Sequence, residues 1–257
     1  MSDPPWYERL FEEVYLRKYA PILARMDTAK EVEFLLEHLH LEPGMRVLDL
    51  CCGQGRHAVL LAKRGLRVVG QDHSQTLLER ARESARAAGV EVELVRRDMR
   101  EIEWTAEFDA VLNLFTAFGY FEEDRENFRV LTGVTRALKP GGRFAIDIIS
   151  YPWLMRNWEP MAWNRGEGGL LWFEERRMDW ARGIQGVEHT YIEPDGRRWA
   201  LTHRLRLFPS HELVEWLRRA GLETEALFGD FSGAPYDLKS PRLIALSKKI
   251  QGSDPER

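Results

Sequence analysis

The chain has 257 residues, the size of one domain or of one domain carrying a modest insertion. Hydrophobic residues make up 44% and charged residues 30%, which provides apolar material for a full core and excludes a disordered chain. Asp plus Glu (41) outnumber Lys plus Arg (37), giving a net charge of −4, which argues against a protein that lives on the nucleic-acid backbone.

The opening MSDPPWYERLFEEVY lacks a basic-then-apolar leader pattern, and no apolar run approaches the ~20 residues of a membrane span. The two cysteines, Cys51 and Cys52, are sequence neighbours, so they form no structural disulfide framework. Together these features predict a soluble, cytoplasmic protein without a membrane partner.

In chain order, about residues 6–40 read as helical and carry an aromatic series of Trp6, Tyr7, Phe11, Tyr15 and Tyr19. From Arg46 the pattern alternates short β-rich runs with amphipathic helices. Arg46 to Leu50 (RVLDL) is a strand closed by CCGQG, and His57 to Arg64 is a helix. Leu66 to Gln71 is a second strand, after which Ser74 caps a helix that runs to about Ala88 and stops at Gly89. Val90 to Val95 and Phe108 to Leu114 are the third and fourth strands. Arg125 to Leu138 is a helix stopped by KPGG, and Arg143 to Ser150 is the fifth strand.

After Ser150 the period changes. Gly169 to Trp180, Ile184 to Ile192 and Arg198 to Phe208 are long, partly alternating runs separated by turn sequences, which predicts an antiparallel meander inserted after strand 5. The α/β pattern then resumes. Ser210 is expected to cap the helix His211 to Ala220, and Leu222 to Phe228 and Arg242 to Lys248 are the last strands, before a frayed tail, QGSDPER. The fold class is α/β, a doubly wound, mainly parallel seven-stranded sheet with an N-terminal helical cap and an antiparallel β insertion. The expected organisation is a cap at 1–40, a ligand-binding domain at 41–150 and 209–250, and an insertion at 151–208 that lids the site or forms an interface.

The informative segment is VLDLCCGQGRHA, Val47 to Ala58. Gly53 and Gly55 stand where a strand turns into a helix, where residues without a Cβ let backbone N–H groups approach a ligand. Gly53-x-Gly55-x-x-Ala58 also fits a dinucleotide fingerprint, which alone is weak. Asp49 separates the readings: a carboxylate inside the strand opposes a pyrophosphate but suits a ligand bearing an ammonium and a sulfonium. The competing structural role for Asp49 is bonding the turn's own backbone. Asp72, closing the second strand, can accept both hydroxyls of a ribose, or act as a helix N-cap. Asp98, in RRDM, can accept the exocyclic amine of adenine with Met99 on the ring, or sit on a surface loop.

These segments resemble, in order, the motifs of class I S-adenosylmethionine-dependent methyltransferases. VLDLCCGQGRH is similar to the first motif, VVGQDHS to the acidic ribose motif and RRDM to the adenine motif. FDAVLNLFTAFGYF resembles the fourth-strand motif, and LTGVTRALKPGGRFAIDI the helix, turn and fifth strand, covering about residues 44–150. The aromatic N-terminal helix and the meander resemble more narrowly the small-molecule N-methyltransferases of the glycine and amino-sugar kind.

The resemblance implies S-adenosylmethionine as cofactor and S-adenosylhomocysteine as product. It places Gly53 and Gly55 at the methionine part, Asp49 near the ammonium, and Asp72 at the ribose with His73 beside it. Asp98 and Met99 flank the adenine, Asn113 and Leu114 lie by the sulfonium, and Tyr15 and Tyr19 close over the methionine end. Cys51 stands where the first motif usually has a small or acidic residue, a place that a small neutral side chain fits. A metal site needs more ligands than one nearby His, so none is expected.

Methyl transfer to a small-molecule acceptor, nitrogen ahead of oxygen, is the leading reading. An oxygen acceptor wants a base near neutrality, and no catalytic residue carries a decisive motif; His203, His211 and Tyr120 are the candidates, with His57, His73 and His189 taken as structural or solvent-facing. Asn113-Leu-Phe-Thr lacks the prolines of enzymes that methylate the amine of adenine in nucleic acids. Phe115 and Phe121 are read as core, while Phe118 and Tyr120 are balanced between core and pocket. Trp153, Trp158, Trp163 and Trp172 are expected to form the packing face of the meander, and Asp230 and Tyr236 to sit in a loop within reach of the cleft. A nucleotide-dependent oxidoreductase on the same fold and a non-catalytic S-adenosylmethionine-binding protein remain the alternatives.

Overall fold

The structure, a computed structural model, describes residues 10–252. Trp6, Tyr7 and most of the tail lie outside that range. Two helices, α1 (Glu13–Leu23) and α2 (Thr28–His38), precede the first strand, β1 (Arg46–Leu50). There follow α3 (Arg56–Lys63), β2 (Arg67–Asp72), α4 (Gln75–Ala88), β3 (Glu93–Arg96), β4 (Phe108–Asn113), α5 (Asp124–Ala137) and β5 (Leu138–Ile149). A short α6 (Tyr151–Arg156) leads into β6 (Met161–Arg165), β7 (Leu171–Asp179), β8 (Ile184–Ile192) and β9 (Arg198–Arg206). The chain closes with α7 (Ser210–Arg219), β10 (Leu222–Phe228) and β11 (Arg242–Lys249).

One sheet has seven strands in the order β10-β11-β5-β4-β1-β2-β3, parallel except where β11 pairs antiparallel with β5 and β10. β1 is buried on both faces: Leu48 and Leu50 enter one core layer and Val47 the other, which is why RVLDL reads as a continuous apolar run interrupted by one acid. Strand order reverses between β1 and β4, and that crevice, at the carboxyl ends of the strands, positions the site.

The second sheet is the antiparallel series β6-β7-β8-β9. Its inner face packs on α1 through Leu10, Val14, Trp172, Tyr191 and Leu201. Ion pairs reinforce this contact. Arg17 donates to both oxygens of Glu193 at 3.0 and 2.9 Å, and the buried Lys18 reaches Glu174 at 2.8 Å. The N-terminal helix is therefore fastened to the inserted sheet as well as to the ligand-binding core.

Several local expectations change. The N-terminal region is two helices, the first containing Pro21 and the second capped by Asp27, which accepts from the N–H of Lys30. Ser74 and Gly89 cap α4 as expected. Ser210 does not cap α7: it is the helix's first residue, and Pro209 holds the cap position without a side-chain bond. KPGG lies inside β5, across a register shift that takes Phe108 to Leu138 and Ala110 to Arg143. The sequence reading missed α6 and β6. α6 is a six-residue helix, and β6 is short and mostly exposed, so neither carries a strong period.

Candidate functional site

A cavity opens at the carboxyl ends of β1, β2 and β4 and is closed over by α1. Its floor begins with the turn after β1. Cys51 adopts a left-handed φ of 64°, and the N–H groups of Cys51 and Cys52 both donate to the carbonyl of Gln71, at 2.7 and 3.1 Å. This folds the turn back onto β2. Gly53, also left-handed at 56°, lies on the wall, and a Cβ there would meet no protein atom within 4 Å. Gly55 is off the wall. A Cβ on it would come within 2.9 Å of the Ala81 Cβ, so its bareness serves the packing of α3 on α4.

Three carboxylates line the cavity. Asp49 is buried, and its Oδ2 has no hydrogen-bond partner among the described residues. Burial raises its pKa, opposed by the nearby His57 and Arg56. Asp72 accepts from the Gly53 N–H at 2.8 Å with Oδ2 and from the Ser74 N–H at 2.9 Å with Oδ1. Burial raises its pKa too, and those backbone donors pull against the rise. Asp98 is clamped by Arg100, whose Nε and Nη2 reach its two oxygens at 3.0 and 2.7 Å. Burial works against ionisation there, but the Arg100 bonds outweigh it and hold the carboxyl below its usual range.

Around these acids sit Cys51, Cys52, His73, Leu77, Met99 and Leu114. The Cys51 Sγ lies 3.6 Å from the Met99 Sδ. Asn113 does not line the cavity; it is buried behind Cys51, donates to the carbonyl of Leu50 at 3.2 Å, and its Oδ1 has no partner among the described residues.

The opposite wall is aromatic. Phe11, Tyr15, Tyr19 and Phe115 run ring to ring, with centroids 5.5, 4.6 and 5.9 Å apart, and Tyr120 meets Phe11 edge-on at 5.7 Å. Burial drives the phenols of Tyr15, Tyr19 and Tyr120 well above their ordinary range, so all three stay neutral. Phe121 lines the cavity as well, so Phe115 and Phe121 are wall residues as well as packing against their neighbours. Phe118 is fully buried in the core.

The candidate bases fall away from this wall. His203 lies behind Tyr120, ring centroids 5.9 Å apart, and its Nδ1 is 2.8 Å from Nε2 of His189. Burial, then the charges of His189 and Lys18, lower its pKa to about 3. His211 is exposed on the first turn of α7. Among the tryptophans, Trp172 is buried against α1, whereas Trp163 is 67% exposed on the outer face of the insertion. Asp230 bonds Ser232 within its own loop, and the Tyr236 hydroxyl is 3.3 Å from Ser150 Oγ; neither lines the cavity.

The sequence reading missed a buried trio. Glu31 of α2 takes Arg56 Nη1 at 2.5 Å and His57 Nε2 at 2.7 Å, and both Arg56 and His57 line the cavity. His57 is thus an internal partner of Glu31 beside Asp49, and only the fold brings these residues together. Among the described residues no cluster of three or more His, Cys, Asp or Glu side chains could hold a metal ion.

The geometry suits a ligand that is cationic at one end. A buried carboxylate oxygen without a partner is costly, and an ammonium at Asp49 would satisfy it. Asp72, held by backbone N–H groups on both oxygens, faces the cavity with acceptor capacity that a ligand hydroxyl can use. Residues 47–142 match the model of a methyltransferase domain family. The chain is 26% identical to the cypemycin N-terminal methyltransferase of a Streptomyces species, over 97% of this chain and all of that one. It is also 26% identical to the glycine/sarcosine N-methyltransferase of Halorhodospira halochloris, over 97% of this chain and 92% of that one. An S-adenosylmethionine-dependent methyltransferase structure from Clostridium acetobutylicum superposes with a TM-score of 0.79 at 20% identity, covering 92% of this chain and 98% of that one.

Proposed function

We propose that this chain, a class I S-adenosylmethionine-dependent methyltransferase, transfers a methyl group to nitrogen on a small-molecule acceptor seated against the aromatic side of the cavity. The observation that carries the reading is the cavity itself, in which Asp49, Asp72 and Asp98 at the strand ends share one space with the rings of Phe11, Tyr19, Phe115 and Tyr120. Its cofactor, S-adenosylmethionine, supplies a methyl on a sulfonium that is open to in-line displacement and leaves S-adenosylhomocysteine.

Asp49, with its unpartnered carboxylate oxygen, would hold the ammonium of the methionine end. Asp72 holds the ribose hydroxyls beside His73, and Asp98 the adenine amine, with Met99 against the ring. Tyr15 and Tyr19, neutral and half-buried, exclude water from the reacting end. Gly53 contributes by leaving room, and Leu114 lines the cavity where it would bound the reacting end of the cofactor.

Nitrogen is favoured over oxygen because none of the three candidate bases suits an alcohol. His203 titrates at about 3 behind Tyr120, His211 is outside the cavity, and the Tyr120 phenol is driven up by burial. A neutral amine needs only alignment. The glycine/sarcosine relative is an N-methyltransferase by name, which supports this choice.

We assign 1–40, of which 1–9 lie outside the described residues, to a cap, 41–150 with 209–250 to the cofactor domain, and 151–208 to an insertion that lids the site or forms an interface. A cytoplasmic location is supported by the two free thiols, which suit a reducing compartment. The excess of acidic residues disfavours nucleic acid as acceptor.

The test is incubation with methyl-labelled S-adenosylmethionine and a mixed panel of primary amines and phenols, read by mass spectrometry. Label on amines is expected. Label on phenols alone overturns the choice of nitrogen, and cofactor binding with no transfer to any acceptor makes the chain a binding protein.

A further inference from the structure

The aromatic wall has a property that neither packing nor cofactor binding requires: it is surrounded by cations that are all already paired. The Arg56 guanidinium lies 5.4 Å and that of Arg242 5.9 Å from the centre of the Phe115 ring, and Arg100 lies 4.4 Å from that of Phe121. Arg56 is taken by Glu31 and Thr28, Arg242 by Asp147 at 2.7 Å, and Arg100 by Asp98 and Glu126. No lysine lines the cavity among the described residues. An acceptor bearing a carboxylate would therefore desolvate it next to three wall carboxylates, with no uncommitted guanidinium to receive it.

A cation meets the opposite environment. With Asp98 paired to Arg100 and Arg56 paired to Glu31, the wall carboxylates of Asp49 and Asp72 have no guanidinium partner, and this balance favours a cation over an anion. The ring faces then hold it by their quadrupoles, as they already hold the neighbouring guanidinium groups. We propose that the acceptor is an amine with an apolar body and no carboxylate, bound as a cation against Phe11, Phe115, Tyr120 and Phe121. This deepens the methyltransferase reading and rests on it.

The step balances simply. The ammonium gives one proton to bulk solvent before its nitrogen reaches the dry reacting end, and its freed lone pair forms the N–CH3 bond as the C–S bond breaks and its electron pair stays on sulfur. One positive charge is lost from sulfur and one is gained on nitrogen, so the methylated product is again a cation that the same wall holds. This sets the chain apart from the glycine/sarcosine N-methyltransferase relative, whose named acceptors are amino acids.

The test uses four small molecules that share a phenylalkyl body: phenethylamine, 2-phenylethanol, phenylalanine and 3-phenylpropanoate. Each is titrated calorimetrically into the full chain saturated with S-adenosylhomocysteine, and the two amines are also assayed for methyl transfer. Phenethylamine should bind at least tenfold more tightly than phenylalanine and 3-phenylpropanoate, with 2-phenylethanol between, and should be the better methyl acceptor. Equal or tighter binding of either carboxylate, or no binding of any of the four, overturns the proposal while leaving the cofactor assignment standing. Failure of S-adenosylhomocysteine itself to bind overturns the methyltransferase reading and this inference with it.

Discussion

Gly53 donates its backbone N–H to Oδ2 of Asp72 across 2.8 Å, tying the turn after β1 to the acidic end of β2. The Ser74 N–H binds the other oxygen at 2.9 Å, so one buried side chain organises the cavity floor and the start of α4. Asp72 therefore has two separable roles, shaping the turn and meeting the ligand.

Substitution separates the two. Asp72→Ala leaves the N–H groups of Gly53 and Ser74, among others, without their acceptor and should cost about 1–3 kcal/mol of stability, besides weakening S-adenosylhomocysteine at least tenfold. Asp72→Asn keeps one acceptor oxygen, so stability should fall less while affinity still falls. Calorimetry and chemical denaturation on both variants measure this; unchanged affinity in both would remove Asp72 from the ribose.

The paired glycines should behave differently. Gly55→Ala forces a Cβ to 2.9 Å from Ala81 at a φ of +77°, adding overpacking to left-handed strain, and should destabilise the fold by roughly 2–4 kcal/mol. Gly53→Ala carries the strain of its φ of +56° without the clash. Its stability loss should be smaller, and its main effect should be on S-adenosylhomocysteine affinity. Denaturation midpoints and titrations of the two variants test the contrast.

How legible this site was in the sequence depends on the distance between its parts. Asp49, Gly53 and Asp72 were readable because strand-turn-helix geometry fixes what a residue at the end of a strand can face. The same local pattern misplaced Gly55, whose bareness answers to Ala81, a residue of the next helix. The Glu31–Arg56–His57 trio joins α2 to α3, and no local period predicts which buried acid meets which base. The inserted sheet was legible as alternation, but its attachment to α1 through Lys18 and Glu174 was not, because that ion pair spans most of the chain.

That attachment should respond to acid. Burial opposes ionisation of Glu174, but His189 and Lys18 overcome it and hold the carboxyl well below its ordinary value. His203 is kept neutral, with its pKa lowered to about 3. The unfolded chain therefore binds more protons than the folded chain, for His203 between pH ~6.5 and about 3 and for Glu174 below pH ~4.5. Stability from both groups is complete near neutrality and is lost as pH falls. His203→Phe should flatten the decline between pH 6.5 and 4.5, measured by denaturation midpoints; an unchanged slope would remove His203 as its source.

Lys18→Met should be costly at neutral pH. It leaves the buried Glu174 with Arg176 and His189 but without its ammonium partner, an imbalance of about 3 kcal/mol by the scale of broken buried pairs. Lys18→Met combined with Glu174→Gln should recover much of the loss, because the buried carboxylate is then gone while the amide oxygen can still accept from Arg176 or Trp172. A double variant no more stable than the single one would show that the pair does not act as a unit.

Titration of the full chain with S-adenosylhomocysteine, with NAD in parallel, shows whether the cavity takes S-adenosylmethionine. Micromolar binding of S-adenosylhomocysteine and no binding of NAD is the expected result; binding of NAD with none of S-adenosylhomocysteine would make the cavity a nucleotide site instead.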